Sequence, residues 1–272
     1  MKIINLMENT TGECAFHAEH GLSVYVETER HRLLVDTGAS AKTWENAAQL
    51  GVDLTRVDTV ILSHGHYDHA GGILSFAQIN PDAKIYMHAL AGGDYYSMGS
   101  HGERYIGIDR EILSLPQCVL LKGDCRIDGE LSVFGGVTGR RKWPQSNRRL
   151  KEKQGDTFVQ DAFAHEMYAV VEAEGKTVLL SGCAHNGILN ILDRFQALYG
   201  REPDVVISGF HMVKKDAYDA DEVKLIEDVA RELREMGILF YTGHCTGLPA
   251  FAIMKEIMGE QLQYMHSGDR IA

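Results

Sequence analysis

Apolar and polar residues alternate along the first third of the chain. Leu22–Glu29 (LSVYVETE) alternates apolar and polar after Gly21, and HRLLVDTG follows beyond a turn at TERH, which predicts an antiparallel hairpin. Ala41–Gly51 (AKTWENAAQLG) changes to helical spacing and stops at a glycine. Val57–Ser63 (VDTVILS) is a short β-branched run of the buried-strand type. GGILSFAQIN then predicts a helix ending before Pro81, and KIYMHA predicts a strand.

Residues from about 91 to 160 are the least regular, with glycine-rich pieces, a hairpin expected around CRIDGELSVFGG, and the basic stretch Thr138–Lys153. Regularity then returns. Strands MYAVVEAE and TVLLSG precede a helix from about Asn186 to Tyr199; strand DVVISG, helix DEVKLIEDVARELREMG, strand ILFYTG and helix PAFAIMKEIMG follow. This alternation predicts an α/β protein whose sheets are covered by helices. One domain over 1–272 is expected, carrying an irregular insert at about 91–160.

Composition narrows the partners. In 272 residues, 44% are hydrophobic and 24% charged, the balance of a soluble globular chain. No apolar run approaches a membrane span, and the N-terminus lacks the pattern of a secretion signal. A net charge of −11 argues against nucleic acid and anionic membranes as partners. Five scattered cysteines (Cys14, Cys118, Cys125, Cys183, Cys245) without a CxxC pair argue against a disulfide scaffold and for a reducing, cytoplasmic setting.

The chemistry is concentrated where strands end. VILSHGHYDHAGG, VLLSGCAHNG, VVISGFHM and LFYTGHCTGLP each run from an apolar strand into a tight segment with a metal-competent side chain. Neutral imidazole and carboxylate suit zinc and other first-row divalent ions. His64 and His66 flank a glycine, and Asp68 and His69 follow at an expected helix N-terminus. Asp68 as a simple N-cap is the plainer reading, but it does not account for three histidines in the same short motif.

The motif H-x-H-x-D-H-x-G-G after a hydrophobic strand resembles the signature of the metallo-β-lactamase fold superfamily, and DTG (Asp36–Gly38) resembles its upstream aspartate motif. AEHGLSVYVE, LSGCAHNGILNIL, SGFHM and TGHCTG together resemble its subgroup of dihydropterin-type, methanopterin-pathway synthases and metal-dependent hydrolases. The resemblance implies an αββα four-layer sandwich holding one or two divalent ions, zinc foremost, with manganese or iron as alternatives. It implies His64 and His66 at a first metal, Asp68, His69 and His244 at a second, and Asp36 behind them as an orienting residue. The family's common bridging aspartate is replaced here by Cys183, which is expected to stand behind the ligands. His185 is the favoured remaining ligand of the first metal, with Cys183 and His165 as alternatives and Glu166 beside His165 as a possible replacement for a family histidine, and loss of the carboxylate is expected to weaken the second ion.

The function expected is hydrolysis of a small anionic substrate, a phosphate ester or phosphodiester, by a metal-activated water. Asp68 would orient the water, and His211, whose place resembles that of a histidine used near the leaving group by phosphodiesterase members of the superfamily, would protonate the leaving oxygen, unless it is a strand-end histidine bonded to backbone. Arg140 and Arg141 in the basic stretch would clamp the anion, unless that stretch is a solvated loop. Thr246 would donate to substrate or cap the next helix. Trp143, Tyr95 and Tyr96 would stack on a flat ring such as a pterin, or pack the insert. The alternatives are a pterin-linked synthase or lyase and an iron-dependent redox enzyme.

Overall fold

The computed structural model describes residues 1–12, 15–100, 102–214 and 216–271, so Cys14 lies outside the described residues. Two main sheets form. The first has six strands in the order Lys2–Met7, Ser23–Glu27, Arg32–Val35, Thr59–Ile61, Lys84–His88, Cys118–Leu121. The second has seven, in the order Leu262–Tyr264, Leu239–Thr242, Val205–Ser208, Lys176–Ser181, Tyr168–Ala173, Leu131–Phe134, Cys125–Arg126. The predicted hairpin is present, with Val24 opposite Val35 and Val26 opposite Leu33.

Alternation along these strands builds the layers. Val24, Val26, Leu33, Val35 and Ile61 of the first sheet share a core with Val133, Ala169, Val171, Val178, Leu180 and Ile207 of the second. The intervening residues face outward: Leu34 and Val60 pack with Trp44, Ala47, Ile73 and Phe76, and Val170, Leu179 and Val206 pack with Leu192, Phe195, Val229 and Met254. Helices therefore cover each outer face: α1 (Lys42–Gln49), α2 (Tyr67–Ala70) and α3 (Ile73–Ile79) accompany the first sheet, and α4 (Ile188–Tyr199), α5 (Ala220–Glu235) and α6 (Leu248–Met258) the second. Sheets with both faces buried, each strand alternating between two cores, give the expected αββα sandwich.

The stretch 91–160 is not a single insert. Cys118–Leu121 joins the first main sheet, and Cys125–Arg126 with Leu131–Phe134 joins the second. The rest forms a separate antiparallel sheet, ordered Thr157–Gln160, Leu150–Gln154, Tyr95–Gly99, Gly102–Tyr105. Its small core of Tyr95, Ile106, Leu150 and Phe163, with Trp143 against it, holds most of the aromatic residues considered above for ring stacking. Tyr95 is buried and donates its hydroxyl to Leu90 O at 2.6 Å. Tyr96 packs against Tyr105 and Phe158. No helix among the described residues is long and apolar enough to cross a membrane.

Candidate metal centre

Parallel pairing in both sheets brings several C-terminal strand ends to one edge. Asp36 follows Arg32–Val35, His64 follows Thr59–Ile61, Cys183 and His185 follow Lys176–Ser181, His211 follows Val205–Ser208, and His244 follows Leu239–Thr242. This is the edge at which parallel α/β sheets commonly place ligands. The turns are tight enough that Asp36, Ala184, His211 and His244 take positive φ of 62°, 49°, 51° and 48°. Left-handed backbone at non-glycine residues costs energy and is retained where surrounding contacts impose it.

The hydrogen bonds set the histidine tautomers. Asp36 accepts from Ser63 N and Ser63 Oγ, each at 2.7 Å, and from His69 Nδ1 at 2.6 Å. With its proton given to Asp36, Ser63 Oγ can only accept from His64 Nδ1, at 2.9 Å. Asn147 donates its amide to His185 O, so its Oδ1 accepts from His185 Nδ1 at 3.0 Å. Asn9 does the same for His244, donating to its carbonyl at 3.3 Å and accepting from Nδ1 at 2.8 Å. In each of these four rings Nδ1 is the donor, which leaves Nε2 for the site.

Those Nε2 atoms converge. His64 Nε2 and His185 Nε2 lie 3.2 Å apart, and His69 Nε2 lies 3.2 Å from Cys183 Sγ. His66 Nε2 and His244 Nε2 are buried without a hydrogen-bond partner. Two unprotonated nitrogens in such contact repel unless a cation joins them. Nitrogens about 2.0–2.1 Å from one tetrahedral zinc would themselves be roughly 3.3 Å apart. The donor set therefore fits a divalent ion: His64, Cys183 and His185 form one potential group, and His69, Cys183 and His244 a second.

Electrostatics agree with this. Burial, reinforced by neighbouring histidines, holds His64 and His185 well below the usual imidazole range, so both are neutral donors. Asp68 stays ionised despite burial because His69, His20 and His244 surround it. Burial also opposes charge on His69, but Asp36 and Asp68 outweigh it and raise its pKa; the field that favours a proton at Nε2 favours a metal ion there. Burial pushes the Cys183 thiol well up, so in the metal-free protein it is protonated.

The structure gathers most of the expected residues. His66, Asp68, His185, His211 and His244 line one recess with Cys183; His64 and His69, fully buried, adjoin it beside His185 and Cys183, and Asp36 stands behind them. His165 Nδ1 accepts from Gly65 N at 2.9 Å, while its Nε2 lies 3.2 Å from Asp161 Oδ2 and joins His66 and Asp161 in a further potential donor group beside the first two.

The expected anion clamp is not assembled. Arg141 pairs with Glu232 and Asp193, and Arg140 bonds Gly139 O, Ala162 O and Asn186 Oδ1, so both tie loops and helices together. Thr246 is fully buried, its hydroxyl accepting from Phe210 N at 2.8 Å and meeting Thr242 Oγ1 at 2.6 Å. Arg149 and Arg104 line the recess instead.

His20 and Glu8 escaped the sequence reading, and Glu166 has a supporting place. His20, beside Gly21, puts Nε2 3.2 Å from Asp68 Oδ2. Glu8 fixes the His244 turn by accepting from its backbone N at 2.5 Å. Glu166 fixes the Cys183–His185 turn by accepting from His185 N at 2.6 Å and Asn186 N at 2.9 Å.

The sequence profile of the metallo-beta-lactamase superfamily matches residues 18–222, and the chain belongs to that superfamily, whose members are generally metal-dependent hydrolases that bind divalent ions. Two relatives from Methanocaldococcus jannaschii extend the likeness over nearly the whole chain. One is an uncharacterized protein, 27% identical over 275 residues, 98% of each chain. The other is 7,8-dihydropterin-6-methyl-4-(beta-D-ribofuranosyl)-aminobenzene-5'-phosphate synthase, 26% identical over 286 residues, 98% of this chain and 95% of the relative. Among solved structures, a metal-dependent hydrolase of the beta-lactamase superfamily matches with a TM-score of 0.84 and 29% identity, covering 100% of this chain and 98% of its own. Zn(2+)-bound PqqB from Methylobacterium extorquens shares the fold, with a TM-score of 0.59 and 14% identity over the full length of both chains.

Proposed function

We propose that this protein is a metal-dependent hydrolase of a small anionic ester, a phosphate ester or phosphodiester being the class the site suits. The observation that carries this reading is the meeting of inward-facing imidazoles with ionised Asp68 in a recess of about 70 Å³ whose rim holds Arg104 and Arg149. Bound divalent ions, zinc foremost, would supply Lewis acidity and a water acidified to near neutral pH. His64, His66 and His185 would hold one ion; Asp68, His69 and His244 would hold the second.

The protein's own groups then divide the work. Arg104 and Arg149 receive the substrate's negative charge at the rim, in the role expected earlier of Arg140 and Arg141. Asp68 also orients the attacking water by accepting one of its hydrogens. The proton path is constrained by Ser146, whose hydroxyl donates to His211 O and so accepts from His211 Nδ1 at 2.7 Å. His211 Nε2 is then unprotonated, so the proton it delivers to a leaving oxygen is one it has first taken from the attacking water.

A second reading is favoured by the full-length likeness to the pterin-linked synthase. In that case the same metals and arginines would bind a phosphorylated pterin-type substrate and the chemistry would be bond formation. The test is metal content of freshly purified protein by plasma mass spectrometry, with turnover assays on phosphomonoesters, phosphodiesters and dihydropterin compounds. Zinc or manganese with phosphoester turnover abolished in His66→Ala supports the hydrolase. Pterin binding without ester turnover supports the synthase, predominant iron with an absorption band supports redox chemistry, and metal-free protein with full activity overturns the metal centre.

A further inference from the structure

Cys183 is buried just past the end of strand Lys176–Ser181, at the edge where the histidines meet. Its sulfur belongs to both potential donor groups, one with His64 and His185 and the other with His69 and His244. We propose that Cys183 is a bridging thiolate ligand shared by two divalent ions, and not a residue standing behind the ligands. The proposal rests on the metal-centre reading above and deepens it.

The local backbone leaves this side chain little alternative. A Cβ at Gly182 would come 2.1 Å from Ser63 Oγ, so the strand end is pressed against the Ser63–Asp36 pair. Ala184, at φ 49°, then reverses the chain, so that Cys183 and His185 enter the site from the two sides of one residue. Cys183 is buried, 3.2 Å from His69 Nε2. Independent support comes from the two buried, unpartnered nitrogens: His244 Nε2 belongs to one group, and His66, whose ring centroid is 4.5 Å from that of His64, adjoins the other. The second nearby thiol has another place, since Cys245 Sγ donates to Cys183 O at 3.5 Å.

Charge and softness follow. On metal entry the thiol proton leaves to solvent, and the sulfur lone pairs bind two ions. Two divalent cations facing one thiolate and one carboxylate keep a net charge of about +2 before water and substrate are counted, which suits an anionic substrate. A thiolate also favours zinc, cobalt and ferrous iron over manganese and magnesium, a selectivity that a bridging carboxylate would not impose. On this proposal the thiolate holds the second ion in place of the carboxylate whose loss the sequence analysis expects to weaken it.

The test is titration of the full-length metal-free protein with cobalt(II), following the near-ultraviolet sulfur-to-cobalt charge-transfer band together with bound cobalt. The band is expected to grow through both equivalents and to survive in Cys245→Ala. In Cys183→Asp it should vanish while both ions still bind. In Cys183→Ser it should vanish, with the second ion held about 10-fold or more weaker. If Cys183→Ser fails to fold, Cys183→Asp carries the comparison. Two bound ions without the band, a band complete at the first equivalent, or a band that persists in Cys183→Asp overturns the bridge while leaving the hydrolase reading intact. Failure of the wild type to bind any cobalt overturns both.

Discussion

Asp36 Oδ2 lies 2.6 Å from His69 Nδ1 and also accepts the Ser63 hydroxyl, whose oxygen in turn faces His64 Nδ1. One buried carboxylate, with no side-chain surface exposed, thereby sets the tautomer of a histidine in each metal group. Asp36 would touch neither ion, yet both groups depend on it.

The corresponding substitution is Asp36→Asn. An amide keeps the shape but turns one of the two acceptors into a donor, so Ser63 and His69 no longer both find a partner. Affinity for divalent ions should fall by about 10–100-fold, with the fold retained. Competition with a calibrated chelator measures the affinity, and circular dichroism checks the fold; wild-type affinity would show that the tautomers are set elsewhere.

Gly65, between His64 and His66, is required by close approach. A Cβ there would stand 2.3 Å from Ala91 O and 2.9 Å from Ala91 C, backbone atoms without a free rotamer to escape into. Gly65→Ala should shift the histidine loop, costing about 1–3 kcal/mol of stability and most of the metal binding. Urea unfolding in the presence of chelator isolates the stability part; an unchanged midpoint would mean that the loop yields freely.

The sandwich was legible because its strands read as short apolar runs, the type buried on both faces, and amphipathic helices lie between them. The His64–His69 cluster was legible because four donors fall within six residues. The supporting acceptors were not, and distance along the chain explains why. Glu8 and Asn9 meet His244 across more than two hundred residues, and Asn147 meets His185 across 38. A single Glu or Asn in a loop carries no period that would mark it. The basic stretch showed residue type but not direction. Arg140 and Arg141 turn toward loops and helices, while Arg149 ends a short 3-10 turn, Gln145–Arg149, that carries it to the recess. The small third sheet was hidden for a similar reason, since Leu150 pairs with Ser97 across more than fifty residues.

Arg149 and Arg141 make a paired prediction about substrate charge. Arg149 is exposed at the rim of the recess and makes no ion pair among the described residues, whereas Arg141 is held by Asp193 and Glu232 away from it. Arg149→Ala should raise KM for an anionic ester by roughly 10-fold, the loss of one charge-assisted contact of about 1.5 kcal/mol, with a smaller change in kcat. Arg141→Ala should leave KM within about twofold, since exposed ion pairs contribute about 1 kcal/mol or less, and that to stability. Equal effects of the two substitutions would return the basic stretch to a general electrostatic role.

His31 supplies a pH dependence far from the metal centre. Its Nδ1 lies 2.8 Å from Asp58 Oδ1, before a strand of the first sheet, and its Nε2 lies 2.8 Å from Asp128 Oδ2, in a hairpin of the second. Two carboxylates facing both ring nitrogens are satisfied only by the doubly protonated ring. Burial opposes that charge, but the hydrogen bonds to Asp58 and Asp128 outweigh it and raise the His31 pKa above its ordinary 6.5. A raised folded-state pKa contributes stability that is complete below the unfolded value of about 6.5 and is lost as pH rises through the folded value. The free-energy difference between wild type and His31→Gln, measured by urea unfolding in chelator, should therefore be greatest below about pH 6.5 and shrink above it. It should stay under about 1 kcal/mol and diminish with added salt, because Asp58 is open to solvent. A difference that grows with pH would mean that His31 joins the two sheets as a neutral ring.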